Sequence, residues 1–269
     1  MKVYLDAVSI YGPGLPGWEA SLPPLRGEMP YTGGDLPAFA CTLLPATERR
    51  RAGKSVKLAM EVAQQAARQC GIDPAAPAMV FASSSGDTEV LSAICESLAG
   101  DDRMISPTRF HNSVHNAPAG YWSIAVGSRQ PSNSIACREV TAAAGMLEAA
   151  TQCVVEQTPV LLALYDIPFP FPLSAAEPIA TAFGAALLLQ PQQTPHSRFC
   201  LDVELTAVTT TEPLHDSEFE TLRLGVPAAH LLPLLQQLAM NAAGTVVLEY
   251  IEPQSLQLTV TPLSQKGFS

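Results

Sequence analysis

The sequence predicts an α/β protein, and three observations carry that prediction. Of the 269 residues, 47% are hydrophobic and only 15% charged, enough apolar material for a sizeable core. Aromatic residues make up 6%, so that core is expected to pack aliphatic helices on a sheet. From Val3 to Gln190, short apolar runs alternate with segments of helical period in the order β-α-β-α-β-α-β-β, with one further helix inserted after Asp87. Parallel crossovers are implied.

Val3 to Tyr11 alternates and reads as a strand, followed by a Pro/Gly-rich loop from Gly12 to Asp35. Between Glu48 and Cys70, the residues Val56, Ala59, Met60, Ala63, Ala67 and Cys70 share one helical face, and Gly71 and Pro74 end the helix. Ala78–Ala82 reads as a buried strand. Asp87 caps a helix whose Val90, Leu91, Ile94, Cys95 and Leu98 align, with Gly100 at its end. Ala117 to Val126 follows as a helix, because Pro118 suits a first turn and Gly127 a C-terminal cap.

Ser132–Cys137 reads as a buried strand, Glu139–Glu156 as a helix of small residues, Val160–Tyr165 as a strand buried on both faces and Ala182–Gln190 as another strand. Beyond Pro191 the pattern restarts: strand Leu201–Thr209, helix Val226–Ala239, then strands Thr245–Ile251 and Leu256–Thr261. Residues 1–190 thus form one lobe and 191–269 a second, truncated lobe.

The formal charge is −10 and the mean hydropathy +0.17. Residues 1–139 carry 12 basic and 13 acidic side chains and residues 140–269 carry 3 and 12, a balance that repels nucleic acid and anionic membranes. The six cysteines make no CxxC pair and no zinc-type spacing, which suits a reduced, cytoplasmic protein. The N-terminus lacks a standard export signal, and no segment approaches a membrane span.

Four motifs have ordinary structural readings. Gly12, Gly14 and Gly17 match GxGxxG, but Pro13 and Pro16 remove N–H donors that would cradle a pyrophosphate, and Pro23-Pro24 prevent a long helix from following. His111 and His115 stand four apart without a third ligand, so no metal is implied. Ser83-Ser84-Ser85-Gly86-Asp87 lacks the glycine before the serine that a nucleophile elbow needs and reads as a turn and cap. Arg49, Arg50, Arg51, Lys54 and Lys57 gather at one helix start and read as a solvated face; because positive charge there opposes the helix dipole, an acidic docking partner is the alternative reading.

Asn116, Ala119-Gly120, Gly127, Arg129, Pro131 and Ser132 occur in the order seen around the nucleophile of β-ketoacyl synthases. The chain resembles that family, of the thiolase superfamily, over residues 1–190, with Gln130 departing from the family's glycine. The resemblance implies a thiolase-like layered αβαβα fold with a complete N-terminal half and a truncated C-terminal half, and no cofactor. Counted without gaps from Pro131-Ser132, the position of the family's catalytic Cys holds Glu139. A carboxylate cannot carry an acyl chain as a thioester. His196, His215 and His230 lie in neither of the family's histidine contexts.

A thiolase-type chain without these groups resembles a chain length factor, the silent partner of a ketosynthase. The Phe110–Ile124 wording is most like the short subunit of aryl polyene pathways. The resemblance implies a cytoplasmic heterodimer with a catalytic ketosynthase, sharing a sheet edge at Ser132–Cys137. The pair would extend an acyl chain held by an acyl carrier protein, with carrier docking falling mainly to the partner. Tunnel or interface candidates are Ser132, Ser134, Cys137, Glu139, Met146, Phe110 and His115. Two rival readings stand beside this one: a divergent acyltransferase or condensing enzyme using Cys137, and a scaffold subunit that does not touch chain length.

Overall fold

The computed structural model describes residues 1–101, 103–207 and 212–264. In chain order it contains β1 (Lys2–Tyr11), α1 (Trp18–Leu25), α2 (Ala46–Arg51), α3 (Lys54–Cys70), β2 (Ala78–Ala82), α4 (Thr88–Ala99), α5 (Pro107–Asn112), α6 (Ala117–Val126) and β3 (Ser132–Ile135). There follow α7 (Thr141–Glu156), β4 (Val160–Asp166), β5 (Phe183–Gln190), β6 (Phe199–Thr206), α8 (Ser217–Gly225), α9 (Leu232–Ala239), β7 (Gly244–Glu249) and β8 (Ser255–Pro262). The α/β expectation holds. The expected strand end at Thr209 lies outside the described residues.

All eight strands form one mixed sheet in the order β3-β2-β4-β5-β1-β6-β8-β7. β3, β2 and β4 run parallel, as the crossovers imply, and every later pairing is antiparallel. β6, β8 and β7 extend through β1 the sheet that the earlier strands form, giving one sheet between two helical layers among the described residues.

Two apolar layers follow from the strand period. Met79, Phe81, Leu161, Ala163 and Tyr165 face α3 and α6, whereas Val80, Ala82, Leu162 and Leu164 face α7 and the elements around α9. Every residue of β4 is buried, and each fully buried leucine there contributes about 1.5–3 kcal/mol. In β1 the register shifts between Leu5 and Ala7, which puts Val3, Leu5, Val8 and Ile10 on one face despite their change of parity.

Several expected boundaries change. The loop after Gly12 contains α1, because Trp18, Ser21 and Leu25 bury one face and outweigh the two N–H donors missing at Pro23 and Pro24. The single helix expected over Glu48–Cys70 is two helices, broken at Ala52 and Gly53, where a side chain on Gly53 would run into the Asp87 carboxylate. Arg49, Arg50 and Arg51 therefore occupy the last turn of α2, where positive charge suits the dipole. Lys54 pairs with Glu89. The electrostatic cost behind the acidic-partner alternative is thus absent for the three arginines and persists for Lys54 and Lys57 in the first turn of α3.

The expected helix over Val226–Ala239 is a 3-10 turn at Pro227–Leu231 followed by α9, and α8 precedes it unforeseen. β3 ends at Ile135, two residues before the expected Cys137, and it is exposed at Ser132 and Asn133 instead of buried, because it forms the sheet's free edge.

Candidate functional site

The chain turns sharply after β3. Arg138 adopts φ +51°, a short 3-10 turn covers Arg138–Val140, and α7 begins at Thr141. Thr141 holds this corner by donating from its hydroxyl to the Arg138 carbonyl at 2.6 Å while accepting the Cys137 N–H at 2.9 Å. Glu139 is thereby delivered to the mouth of a cleft of about 520 Å³. Ser84, Ser85, Arg138, Glu177 and His230 supply its polar wall, and Leu91, Phe169, Ile179 and Leu224 its apolar wall.

A buried carboxylate joins the two sides of this cleft. Asp166, at the end of β4, is 1% exposed. It accepts the Ser83 hydroxyl at 3.0 Å, the Ser84 N–H and hydroxyl at 2.8 Å each, and the Ala228 N–H at 2.8 Å. The turn after β2 and the 3-10 turn carrying His230 are therefore fixed to one anion. Burial raises the Asp166 pKa to about 6, against the pull of those four donors.

Arg138 bridges two carboxylates, with Glu139 at 3.7 Å and Glu177 at 3.3 Å. All three side chains are more than half exposed, so these pairs orient groups and add little stability. His230 is held neutral at ordinary pH: burial and then the Arg223 guanidinium lower its pKa, more than Glu249, Glu139 and Glu220 raise it. The cleft combines a carboxylate, a guanidinium, a neutral imidazole and two hydroxyls, and no thiol lines it.

The other sequence-predicted residues scatter. Cys137 is half-buried and outside the cleft lining. Met146 is fully buried in the core between α7 and the sheet. His115 places Nε2 3.2 Å from the Ile135 carbonyl and packs its ring against Gly86, while His111 lies edge-on to Tyr121. Among the described residues, no group of three or more His, Cys, Asp and Glu is placed to hold a metal. The Gly12–Gly17 loop closes on itself, Gly12 and Leu15 exchanging hydrogen bonds at 3.0 and 2.9 Å. Ser83 accepts the Gly86 N–H and Asp87 the Val90 N–H, so the serine-rich segment is a turn and a cap.

Ser132 is exposed on the free sheet edge, and the Ser134 hydroxyl is buried without a hydrogen-bond partner. Beside this edge, α4 to α6 expose Leu91, Leu98, Phe110, Val114 and Ile124, with Phe110 and Ile124 more than 60% accessible. The aligned apolar face expected on α4 thus exists, and much of it is left uncovered.

Residues 26–243 match the family model of the β-ketoacyl synthase N-terminal domain. The chain belongs to that family. Among solved structures, the fold of this β-ketoacyl synthase-type chain matches one in a ketosynthase in complex with its chain length factor from Xenorhabdus doucetiae. That pair is 20% identical, with 96% of this chain and 99% of that chain covered and a TM-score of 0.73. The ishigamide ketosynthase/chain length factor is 12% identical over 98% and 100% of the two chains, with a TM-score of 0.71. A type II PKS acyl-carrier protein in complex with its ketosynthase bound to the hexaketide gives 10% identity, 97% and 99% coverage and a TM-score of 0.74. These likenesses establish the fold, thiolase-like as the motifs implied. No curated protein matches the sequence.

Asp166, Glu177 and the contribution of His230 escaped the sequence reading. Asp166 had a visible signal, an acid closing an otherwise apolar strand. His230 had none, because its place in the cleft depends on a fold-back from 62 residues beyond Asp166.

Proposed function

We propose that this chain is the non-catalytic chain-length-determining subunit of a ketosynthase heterodimer. The pair would extend an acyl chain on an acyl carrier protein by decarboxylative condensation, in a type II polyketide or fatty-acid-like pathway of the aryl polyene kind. The observation that carries the reading is the cleft beside the Arg138 corner. A condensing enzyme of this family needs a thiolate there to hold the acyl group as a thioester, and the cleft presents Glu139, bridged through Arg138 to Glu177. His230 remains nearby as a neutral imidazole without a thiol to serve.

Pairing is supported by the free edge of β3 and by the apolar side chains that α4 to α6 leave exposed beside it. In the pair, residues of this face such as Phe110 and Ser132 close the far end of the partner's tunnel and set product length. Residues 1–190 form the ketosynthase-like lobe, and 191–269 are the remnant of a second lobe merged into the same sheet. No described helix is long and apolar enough to cross a membrane, and all six cysteines are free, which supports work in the reducing cytoplasm.

The test is co-expression with a ketosynthase encoded in the same operon. A stable heterodimer is expected, in which substitutions at Phe110 and Ser132 shift product length at constant condensation rate. A chain that purifies alone and never joins the ketosynthase contradicts the reading, and a pair whose product length ignores this face reduces it to a scaffold.

A further inference from the structure

Further along the sheet, separated from β3 by β2, β4 and β5, lies a second cleft of about 590 Å³ between α1, α9 and the β1–β6 junction. Its floor is apolar, made chiefly of Trp18, Leu22, Phe199 and Leu238, and its rim carries Arg26 and Arg198. Volume and lining fall in the range of small-molecule sites, an apolar body with a few convergent polar groups.

The two guanidiniums are held but not saturated. Arg26 donates from Nε to the Ala239 carbonyl at 2.8 Å, which fixes its plane, and its ion pair with Glu28 is long at 3.6 Å. Arg198 is anchored through its backbone, donating to Leu5 and accepting from Leu263 at 2.8 Å each, and its guanidinium stands 3.6 Å from Glu19. The Lys and Arg residues of 140–269 are Arg198, Arg223 and Lys266 alone. Arg223 is consumed by Glu220 through bonds of 2.8 and 2.7 Å. In an acidic half so poor in positive charge, Arg198 stands at the rim of this cleft.

We propose that this cleft is a binding site for an amphipathic carboxylate, a single anionic head on an alkyl or aryl body. The head bridges the Nη groups of Arg26 and Arg198 in the forked geometry that guanidinium and carboxylate share. The body lies along Trp18 and Leu22. The site is independent of the partner-facing edge, so its failure leaves the pairing untouched.

The test titrates the full chain with octanoate and follows Trp18 fluorescence. The only other tryptophan, Trp122, is 1% exposed in the opposite layer and provides a constant background. A saturable change is expected, weakened about tenfold or more both for neutral octanol on the unaltered chain and for octanoate on Arg26→Gln/Arg198→Gln. No saturable change up to about 10 mM, a concentration that would reveal binding of only about −3 kcal/mol, overturns the proposal. So does equal affinity for octanol, or an undiminished affinity in the folded double variant.

Discussion

The N–H of Ala228 donates to the buried carboxylate of Asp166 at 2.8 Å, across 62 residues of chain, and so ties the turn that carries His230 to the end of β4. Ser84, which also lines the cleft, reaches the same carboxylate through its N–H and its hydroxyl. The shape of the cleft beside Glu139 depends on this one anion.

Asp166 makes stability pH-dependent. Its pKa rises from 3.8 unfolded to about 6 folded, so between those values the folded chain keeps a proton that the unfolded chain has released. Stability therefore falls as pH rises from about 4 to about 6 and levels off above, a span of about 3 kcal/mol. His230 slopes the other way, since its lowered pKa costs stability as pH falls below 6.5. Asp166→Asn is expected to erase the first slope and to cost about 1–3 kcal/mol at pH 7, because its amide presents a donor to donors. Urea unfolding across this pH range checks both effects, and a variant that keeps the slope removes Asp166 as its source.

Glu220→Gln isolates a different pair. Arg223 is 7% exposed and bound by both oxygens of Glu220, which lowers the Glu220 pKa. The stabilisation is present above the unfolded glutamate pKa and is lost as pH falls through the folded one. The variant should lose about 3 kcal/mol at pH 7, because it strands a buried guanidinium, and match the parent in strong acid. Thermal unfolding at both pH values reads the difference.

Gly145→Ala tests how closely α7 approaches the sheet. A Cβ at Gly145 would lie 2.8 Å from the Ala82 Cβ and 3.3 Å from Leu162 Cδ1. Alanine gains about 1 kcal/mol of helix propensity, and crowding in a packed core costs about 1–3 kcal/mol. Net destabilisation is the expected outcome in urea titration, and a more stable variant would show that the layers sit further apart.

Phe110→Asp with Ile124→Asp addresses the exposed face beside β3. Both side chains are solvent-accessible in the chain alone, so folding should survive. Affinity for the ketosynthase should drop about a hundredfold or more, as when apolar anchors at the centre of an interface are charged. Size-exclusion chromatography of the co-expressed pair measures it, and unchanged pairing would move the interface elsewhere.

The sequence revealed most where one physical signal dominated. The face of α3 from Val56 to Cys70 is buried throughout, because helical period and core burial agree. Gly71 and Gly127 end their helices at positive φ, the conformation that favours glycine. The break at Ala52 and Gly53 was hidden because the apolar period runs on past it, and the close approach of the Asp87 carboxylate to Gly53 comes from a distant turn. Glu139 was singled out by counting, but its neighbours Glu177 and His230 come from loops that no local pattern brings to it. Met146 looked available beside the corner and is core, because α7 turns that face onto the sheet.

The central claim is that this chain supplies shape and no nucleophile. The most direct measurement is the condensation rate of the co-purified ketosynthase pair carrying Cys137→Ala, with Glu139→Ala beside it. The account predicts full activity for Cys137→Ala and, for Glu139→Ala, at most a change in product length. Loss of acyl transfer in Cys137→Ala would contradict it and make this chain an enzyme in its own right.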